Sequence, residues 1–249
     1  RVLLVDFDPQ GALSVGLGIQ PHDIESTVYN LLMERDVTAH DVLYKTSVDG
    51  MDLLPSNIDL SGAEVQLVHE VGREYVLGGV LKPLLPDYDI VMIDCQPSLG
   101  LLTINALACA DGVLIPLECE YFAMRGVALL METIDKVSRR LNTKLTIDGV
   151  LATMYDSRTL HTREVLASMV NGFGEQVFLF ALGFGEQHLA FTGCFVDESF
   201  LNLRRVTFLL PRLLAGLVTL PVLVFVADII GVFGGFIVGS YKLNFNPVS

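Results

Sequence analysis

Two carboxylates follow the first apolar run of the chain, and their spacing suggests chemistry. Val2 to Val5 is a continuous apolar run, and Asp6 and Asp8 follow it before a Pro-Gln-Gly segment. Such a run predicts a buried strand that ends in a polar loop, and residues two apart on a strand share a face. Carboxylates this close require a cation or a proton between them, so the pair suggests a magnesium site. The alternative is a strand-end turn in which Asp8 only caps the bend.

Asp94 is a third carboxylate in the same kind of position. It follows four apolar residues, Ile90 to Ile93, in the pattern of a Walker B strand, whose Asp orders the magnesium ion of a bound nucleotide. A single strand-end Asp is weak evidence, because many such residues only cap loops. In a parallel sheet the carboxyl ends of the strands lie at one edge, so Asp6, Asp8 and Asp94 could converge on one crevice.

The elements that must position these carboxylates alternate along the chain. Further apolar runs predict strands at 51–55, 112–116 and 145–154. Helical patterns predict helices at 26–35 (with Ser26 or Thr27 as the cap), 37–43, 60–85 (with a break near Gly78 and Gly79), 99–109 and 126–141. This alternation predicts an α/β fold with a doubly wound, mainly parallel sheet.

Charge divides the chain into two parts. The formal net charge is −13. Residues 1–180 contain 12 Lys and Arg and 25 Asp and Glu and carry all of this charge, whereas residues 181–249 contain 4 of each kind and are neutral. The first part is therefore expected to be an acidic, soluble domain, and the balance argues against a broad nucleic-acid surface, although a local patch stays possible. The four cysteines, none in a C-x-x-C pair, favour buried thiols in a reducing cytosol: Cys95, Cys109, Cys119 and Cys194.

Five sequence blocks resemble the ParA/Soj family of chromosome- and plasmid-partitioning ATPases. They lie in the family's order at residues 2–11, 53–68, 88–107, 112–134 and 149–165. The resemblance implies that residues 1–178 are a ParA-like ATPase domain, truncated at its N-terminus, with a P-loop NTPase-type fold. It also implies binding of ATP and Mg²⁺, an ATP sandwich homodimer, non-specific DNA binding, hydrolysis stimulated by a ParB-like centromere-binding protein, and a cytoplasmic, nucleoid-associated location.

The resemblance also assigns roles to the three carboxylates. Asp8 resembles the catalytic Asp that orients the attacking water, Asp6 resembles the carboxylate that supports magnesium through water, and Asp94 resembles the Walker B Asp. Arg158 matches a recurrent family Arg to which we assign no role. Gln96 stands where the family has a proline, which is expected to loosen the turn because only proline fixes φ.

The phosphate-binding loop of the family does not occur in this sequence. In the family a KGGVGKTT-type segment precedes the strand that carries Asp6 and Asp8, whereas here only Arg1 precedes it, and the 249 residues contain no G-x-x-x-x-G-K-[ST]. The backbone amides and lysines that hold phosphates are therefore missing. Although the family hydrolyses ATP, we expect the chain as written to be inactive and to hold a cation only weakly.

The last part of the chain has a different character. The pentapeptide GFGEQ at 172–176 recurs at 183–187, and we interpret 179–204 as a junction, with a join between unrelated coding segments favoured over chance or a loop duplication. Residues 205–249 are predicted to be an apolar, membrane-associated helical segment, in which 208–227 is long enough to span a bilayer. A buried helical hairpin is the alternative.

The apolar segment resembles, over residues 205–245, the MlaE family of permease subunits in phospholipid-trafficking ABC transporters. This resemblance implies an inner-membrane location for the tail and membrane contact through residues 205–245. It leaves two alternatives to the ATPase hypothesis: a fragment of an MlaE-like permease, or a non-functional chimera of the two families.

Three further groups were candidates for chemistry. A basic cluster could bind DNA, although a solvated helix end is the commoner explanation: Lys136, Arg139, Arg140 and Lys144. Glu118 and Glu120 could be an acid/base pair, but a solvated loop is favoured. His161, close to Arg163, is predicted to lie on the surface.

Overall fold

The computed structural model of the protein describes residues 1–20, 23–119, 123–156, 158–183, 190–195 and 238–242. The strands are β1 (Val2–Phe7), β2 (Tyr44–Lys45), β3 (Met51–Leu54), β4 (Ile90–Cys95), β5 (Gly112–Glu118), β6 (Thr146–Thr153), β7 (Val177–Gly183), β8 (Ala190–Phe195) and β9 (Val238–Lys242). The helices are α1 (Ala12–Gly16), α2 (Val28–Met33), α3 (Leu60–Gln66), α4 (Val76–Leu81), α5 (Leu101–Cys109), α6 (Ala123–Arg140) and α7 (Leu160–Phe173). The predicted alternation of strands and helices is confirmed.

The chain divides into two compact units, of which the first holds the described residues of Arg1–Val113, Thr133–Thr146 and Ile237–Ser249. The central strands of its sheet are parallel: β1 pairs with β3 on one side and with β4 on the other. Two antiparallel pairings extend it, β2 with β3 and β9 with β4. Residues 238–242, which lie within the predicted helical tail, therefore form a strand, and the predicted span at 208–227 lies outside the described residues.

The second unit holds the described residues of Leu114–Glu132 and Ile147–Phe236. In it β6 pairs with β7 in parallel, and β7 pairs with β8 antiparallel. The backbone N–H of Cys119, just after β5, donates to the carbonyl of Thr153 at the end of β6 (3.1 Å).

Burial explains why the first strand is an uninterrupted apolar run. Every residue of β1 is buried, and Leu3, Val5 and Phe7 are fully inaccessible to solvent. A strand in the middle of a parallel sheet is covered on both faces, so it gains from apolar side chains at every position. Asp6 is the exception, because it is a carboxylate at a position with no exposure to solvent.

The start of α2 follows the sequence expectation, with Thr27 as the cap. The Thr27 hydroxyl accepts a hydrogen bond from the backbone N–H of Tyr29 (3.2 Å), and the Asn30 side chain accepts one from the backbone N–H of Thr27 (2.9 Å). This reciprocal arrangement is a capping box, which satisfies two N–H groups that the first turn leaves without partners.

Two helix predictions were wrong in detail. The helix expected at 37–43 is replaced by turns, because the Asp41 side chain accepts hydrogen bonds from the backbone and hydroxyl of Thr38 and closes a turn there. The helix expected at 60–85 breaks after His69, where Gly72 has φ 69°, and not at Gly78 and Gly79, which lie inside α4.

Candidate functional site

Asp6 and Asp94 lie directly beside each other at the carboxyl ends of β1 and β4. The parallel register pairs Asp6 with Asp94, one step before Phe7 and Cys95 end the two strands. Asp6 is fully buried, and Asp94 is partly buried. The predicted juxtaposition of these two carboxylates is therefore present in the fold, at the sheet edge where open α/β sheets bind ligands.

Asp6 is held by α1. Its Oδ2 accepts hydrogen bonds from the backbone N–H (2.8 Å) and the hydroxyl (2.6 Å) of Ser14. Its Oδ1 accepts a longer one from the backbone N–H of Asp8 (3.3 Å). The Ser14 hydroxyl in turn accepts from the backbone N–H of Ser56, in the loop after β3 (3.1 Å).

Asp8 caps the turn that follows β1. Its Oδ1 accepts from the backbone N–H of Gln10 (2.9 Å), and its carbonyl accepts from that of Gly11 (2.9 Å). Gly11, the N-cap residue that precedes α1, has φ 64°, a left-handed conformation that glycine adopts without strain. The structure therefore contains the turn that the alternative interpretation predicted, with Asp8 as its cap. Capping the turn does not exclude a chemical role for Asp8, which lies two residues after Asp6.

All three carboxyls are harder to ionise than isolated ones. Burial raises the pKa of Asp6 to about 6, against the opposing effect of the Ser14 hydrogen bonds. Burial, followed by the charges of Asp6 and Asp8, raises the pKa of Asp94 well above its usual value. Burial also raises the pKa of Asp8, against the Gln10 amide. A cation beside the cluster would reverse these shifts, because an opposite charge favours the ionised form.

The donor set suits Mg²⁺, which takes oxygen ligands and keeps several waters. Within the described ranges, no group of three or more His, Cys, Asp and Glu side chains is placed to hold one metal ion directly. Of the three carboxylates, Asp6 has no exposure to solvent, whereas Asp8 and Asp94 are partly accessible.

Two residues near the start of α5 each have a buried polar atom with no hydrogen-bond partner in the described part of the chain: Gln96 (Nε2), in the loop after Asp94, and Glu64 (Oε1), on α3. Glu64, on α3, lies against Gly100 at the start of α5, where a Cβ would meet Oε1 of Glu64 at 1.7 Å. This contact joins two of the sequence blocks, 53–68 and 88–107, and explains why a glycine precedes α5.

The remaining candidates differ in burial. Glu118 is the last residue of β5 and is buried (7% exposed), so the prediction of a solvated loop was wrong for it; Glu120 lies outside the described residues. His161 is exposed at the start of α7, as expected. The basic residues of the cluster at 136–144 are exposed around the end of α6, where Arg139 pairs with Asp135 (2.9 Å).

Arg158 and the cysteines have ordinary local explanations. The Arg158 guanidinium binds both carboxylate oxygens of Asp156 and lowers the pKa of that carboxyl to about 2. Cys95, Cys109 and Cys119 are buried thiols, as the sequence predicts, and burial raises the pKa of Cys95 well above its usual value.

Sequence reasoning missed Ser14, which donates two hydrogen bonds to Asp6, and Ser56, whose backbone N–H donates to the Ser14 hydroxyl. Both are fully buried. The one available signal was composition: Ser14 is the only polar side chain in the segment from Ala12 to Gly18, where a buried hydroxyl needs a partner.

Comparison with proteins of known family defines the class of this fold. A cobyrinic acid a,c-diamide synthase from Mycobacterium smegmatis, solved with bound ADP and magnesium, has a TM-score of 0.66 and 45% sequence identity, covering 74% of this chain and 72% of its own. The same protein has been solved with an ATP analogue and magnesium. The chain thus has a P-loop NTPase-like α/β fold with a mainly parallel sheet.

The family follows from sequence. Residues 1–147 match the family model described as an AAA domain. The sporulation initiation inhibitor protein Soj of Bacillus subtilis is 45% identical over 178 residues, which are 72% of this chain and 70% of Soj. An uncharacterized Mycobacterium tuberculosis protein is 60% identical over 178 residues, but the match spans only 56% of its length. The chain belongs to the ParA/Soj family of partitioning ATPases.

The last residues match a second family. Residues 200–249 match the family model of the permease MlaE, which agrees with the resemblance stated from the sequence. Within the described residues, the structure contains no helix that is both long and apolar enough to cross a membrane.

Proposed function

We propose that residues 1–178 are the ATPase part of a chromosome- or plasmid-partitioning protein. In this proposal the domain binds ATP and Mg²⁺, forms a homodimer, binds DNA non-specifically in the cytoplasm at the nucleoid, and hydrolyses ATP under stimulation by a ParB-like centromere-binding protein. The observation that carries the proposal is the register of Asp6 with Asp94 at the carboxyl edge of a parallel sheet, with Asp8 two residues further on.

Each carboxylate has a proposed role that its surroundings support. Asp94 would hold Mg²⁺ and Asp6 would support the ion through water; when bound, the ion would neutralise charge that develops on the phosphates. Asp8 accepts a hydrogen bond from the attacking water and orients it. The turn that binds Gln10 and Gly11 to Asp8 restrains its backbone, which favours a fixed orientation of the carboxylate.

We also propose that a polypeptide of these 249 residues alone does not hydrolyse ATP. The sequence contains no G-x-x-x-x-G-K-[ST], so the amides and lysine that would bind the phosphates have no counterpart in it. Adding a phosphate-binding segment before Arg1 is therefore expected to create nucleotide binding.

The experiment compares the 249-residue chain with the same chain preceded by a KGGVGKTT-type segment. Mg²⁺-dependent binding of a fluorescent ATP analogue is expected only for the extended chain, together with ATP-dependent dimerisation in sedimentation experiments. An extended chain that folds and fails to bind the analogue would contradict the proposed function. Binding by the unextended chain would contradict only the proposed inactivity.

The match of residues 200–249 to MlaE supports a second candidate for the tail. Here residues 205–245 are a fragment of an inner-membrane permease, joined to the ATPase part across the junction at 179–204, and the chain as a whole is a non-functional chimera. Sequencing the transcript of the native locus across residues 176–187 tests the join. Co-flotation of the 249-residue chain with phospholipid vesicles, compared with residues 1–178, tests membrane contact through the tail.

A further inference from the structure

The two faces of β4 are not covered to the same extent. Buried and partly exposed residues alternate along the strand, and alternate residues of a strand lie on the same face. The partly exposed face carries Ile90, Met92 and Asp94. A strand inside a parallel sheet is normally covered on both faces, as β1 is. The part of the chain that the structure describes therefore covers β4 incompletely on this face.

The neighbouring strand β1 shows where the covering layer stops. Leu4 pairs with Met92 and Asp6 pairs with Asp94, and residues paired in a parallel ladder lie on the same face of the sheet. On β1 these residues are buried: Leu4 is 3% exposed and Asp6 is 0% exposed. The layer that contains α1 thus covers β1 and ends before β4.

The outer edge of β4 is paired with a strand from the tail. β9 runs antiparallel to β4, with Val238 opposite Asp94 and Lys242 opposite Ile90, whereas β3, β1 and β4 are parallel to one another. β9 has five residues and includes Gly239, and a glycine weakens a strand because it has no side chain to pack. A short strand of this kind can be replaced by one that packs better.

A strand–loop–helix segment fits both the edge and the partly exposed face of β4. A phosphate-binding loop connects a strand to the helix that follows it. A parallel strand on the outer edge of β4 would end beside Asp94, because the carboxyl ends of parallel strands lie at one edge of the sheet. The helix would then run back over Ile90 and Met92 and bury their apolar side chains.

The far end of such a helix would lie close to Arg1. The carbonyl of Arg1 accepts hydrogen bonds from the backbone N–H groups of Asp89 (2.9 Å) and Ile90 (3.3 Å), at the amino end of β4. A helix that returns along β4 ends at this edge of the sheet. The segment can therefore be joined to Arg1 by a short connection, which is the usual length in α/β units.

We infer that the edge of β4 is the docking surface for a strand–loop–helix segment that carries a phosphate-binding loop, and that β9 blocks this surface. The inference rests on the proposed function, because it concerns the segment that would complete the nucleotide site. One strand edge forms one ladder of backbone hydrogen bonds. The tail strand and the phosphate-binding segment therefore exclude each other, and the segment docks only after β9 is released.

The first test adds the segment to the 249-residue chain as a separate fluorescent peptide with the order strand, KGGVGKTT, helix. Binding is measured by anisotropy for the wild type and for a variant with Gly239→Pro and Ser240→Pro. Proline cannot donate to a ladder, and consecutive residues donate to opposite sides of a strand, so one of the two prolines removes a hydrogen bond to β4. We expect about tenfold tighter binding by this variant, because β9 competes less well.

The matched control is a variant with Asn244→Pro and Phe245→Pro, which places two consecutive prolines after the last residue of β9. This variant is expected to bind the peptide with wild-type affinity. Equal affinity in the two proline variants would overturn the blocking role of β9. Absence of peptide binding by all three proteins, or equal binding of a peptide with a scrambled strand, would overturn the docking surface.

The second test is hydrogen exchange on the wild-type chain with and without saturating peptide, so that it does not depend on how the proline variants fold. The amides of 238–242 are expected to exchange about tenfold faster or more when the peptide is bound, whereas the amides of 90–95 stay protected because a new strand replaces β9. Unchanged exchange at 238–242 would overturn the inference. Nucleotide is absent from both tests. A complex that forms as expected and then fails to bind an ATP analogue with Mg²⁺ would contradict only the proposed function.

Discussion

Asp6 and Asp94 are paired in register on adjacent parallel strands, and neither has a cationic side chain among its hydrogen-bond or ion-pair contacts in the described structure. Each lies at the end of an apolar strand, and burial is the largest cause of the raised pKa of both. Two carboxylates in such a position weaken the fold at neutral pH, which is typical of groups kept for function.

Replacing Asp94 with Asn is expected to stabilise the protein at pH 8. Because the pKa of Asp94 is raised in the fold, the unfolded chain ionises first as pH rises above 3.8, and stability falls until the folded form ionises too. Asn removes this penalty, so we expect a gain of at least about 1 kcal/mol at pH 8 and a smaller gain at pH 5. Urea unfolding at both pH values measures it, with the exposed Asp36→Asn as control. A less stable Asp94→Asn at pH 8 would contradict the expectation.

Asp52 is another buried carboxylate, but its ionised form is stabilised by neighbouring donors. Its Oδ2 accepts from Lys45 (2.7 Å), Tyr88 (2.5 Å) and Arg1 (3.1 Å). Burial opposes ionisation, but the three donors together lower the pKa of Asp52. The stability that this carboxylate contributes is therefore present above pH 3.8 and is lost as pH falls through its lowered folded pKa.

Tyr88→Phe tests this arrangement. Removal of one donor to a buried carboxylate is expected to lower the free energy of unfolding by about 1–2 kcal/mol at pH 7, with a smaller loss near pH 3. Tyr75→Phe is the control, because the Tyr75 hydroxyl donates to the carbonyl of Leu141 at an exposed site. An equal loss of unfolding free energy in the two variants would contradict the prediction that the buried hydrogen bond to Asp52 stabilises the fold more than an exposed one.

Two glycines test the corrected position of the helix break. Gly72 has φ 69°, so Gly72→Ala is expected to destabilise the protein by about 1 kcal/mol through backbone strain. Gly79 lies inside α4 with open space around its Cβ position, so Gly79→Ala is expected to stabilise it by up to about 1 kcal/mol. Thermal unfolding of both variants measures the difference. The opposite order of stability would place the break at Gly78 and Gly79, as the sequence pattern suggested.

The sequence predicted those elements of the fold that depend on residues close together in the chain. The strands that end at Asp6 and Asp94 were predictable because four apolar residues followed by a carboxylate signal a buried strand end, and Thr27 was predictable as a cap. The helix at 37–43 was not, because the contact of Asp41 with Thr38 outweighs a weak helical pattern. The hydrogen bond between Ser56 and Ser14, the residue that binds Asp6, joins positions 42 residues apart, and a single sequence carries no signal for such a distant contact.

The most direct test of the account is ATP hydrolysis by the chain preceded by a KGGVGKTT-type segment, with and without Asp8→Ala. The account predicts that both proteins bind ATP and Mg²⁺ and that turnover falls by about 100-fold or more in Asp8→Ala, because the attacking water loses the carboxylate that orients it. Asp59→Ala, at the start of α3, is the control that should hydrolyse ATP at the parent rate. Undiminished turnover in Asp8→Ala would contradict the central claim that this carboxylate cluster is a nucleotide-hydrolysing site.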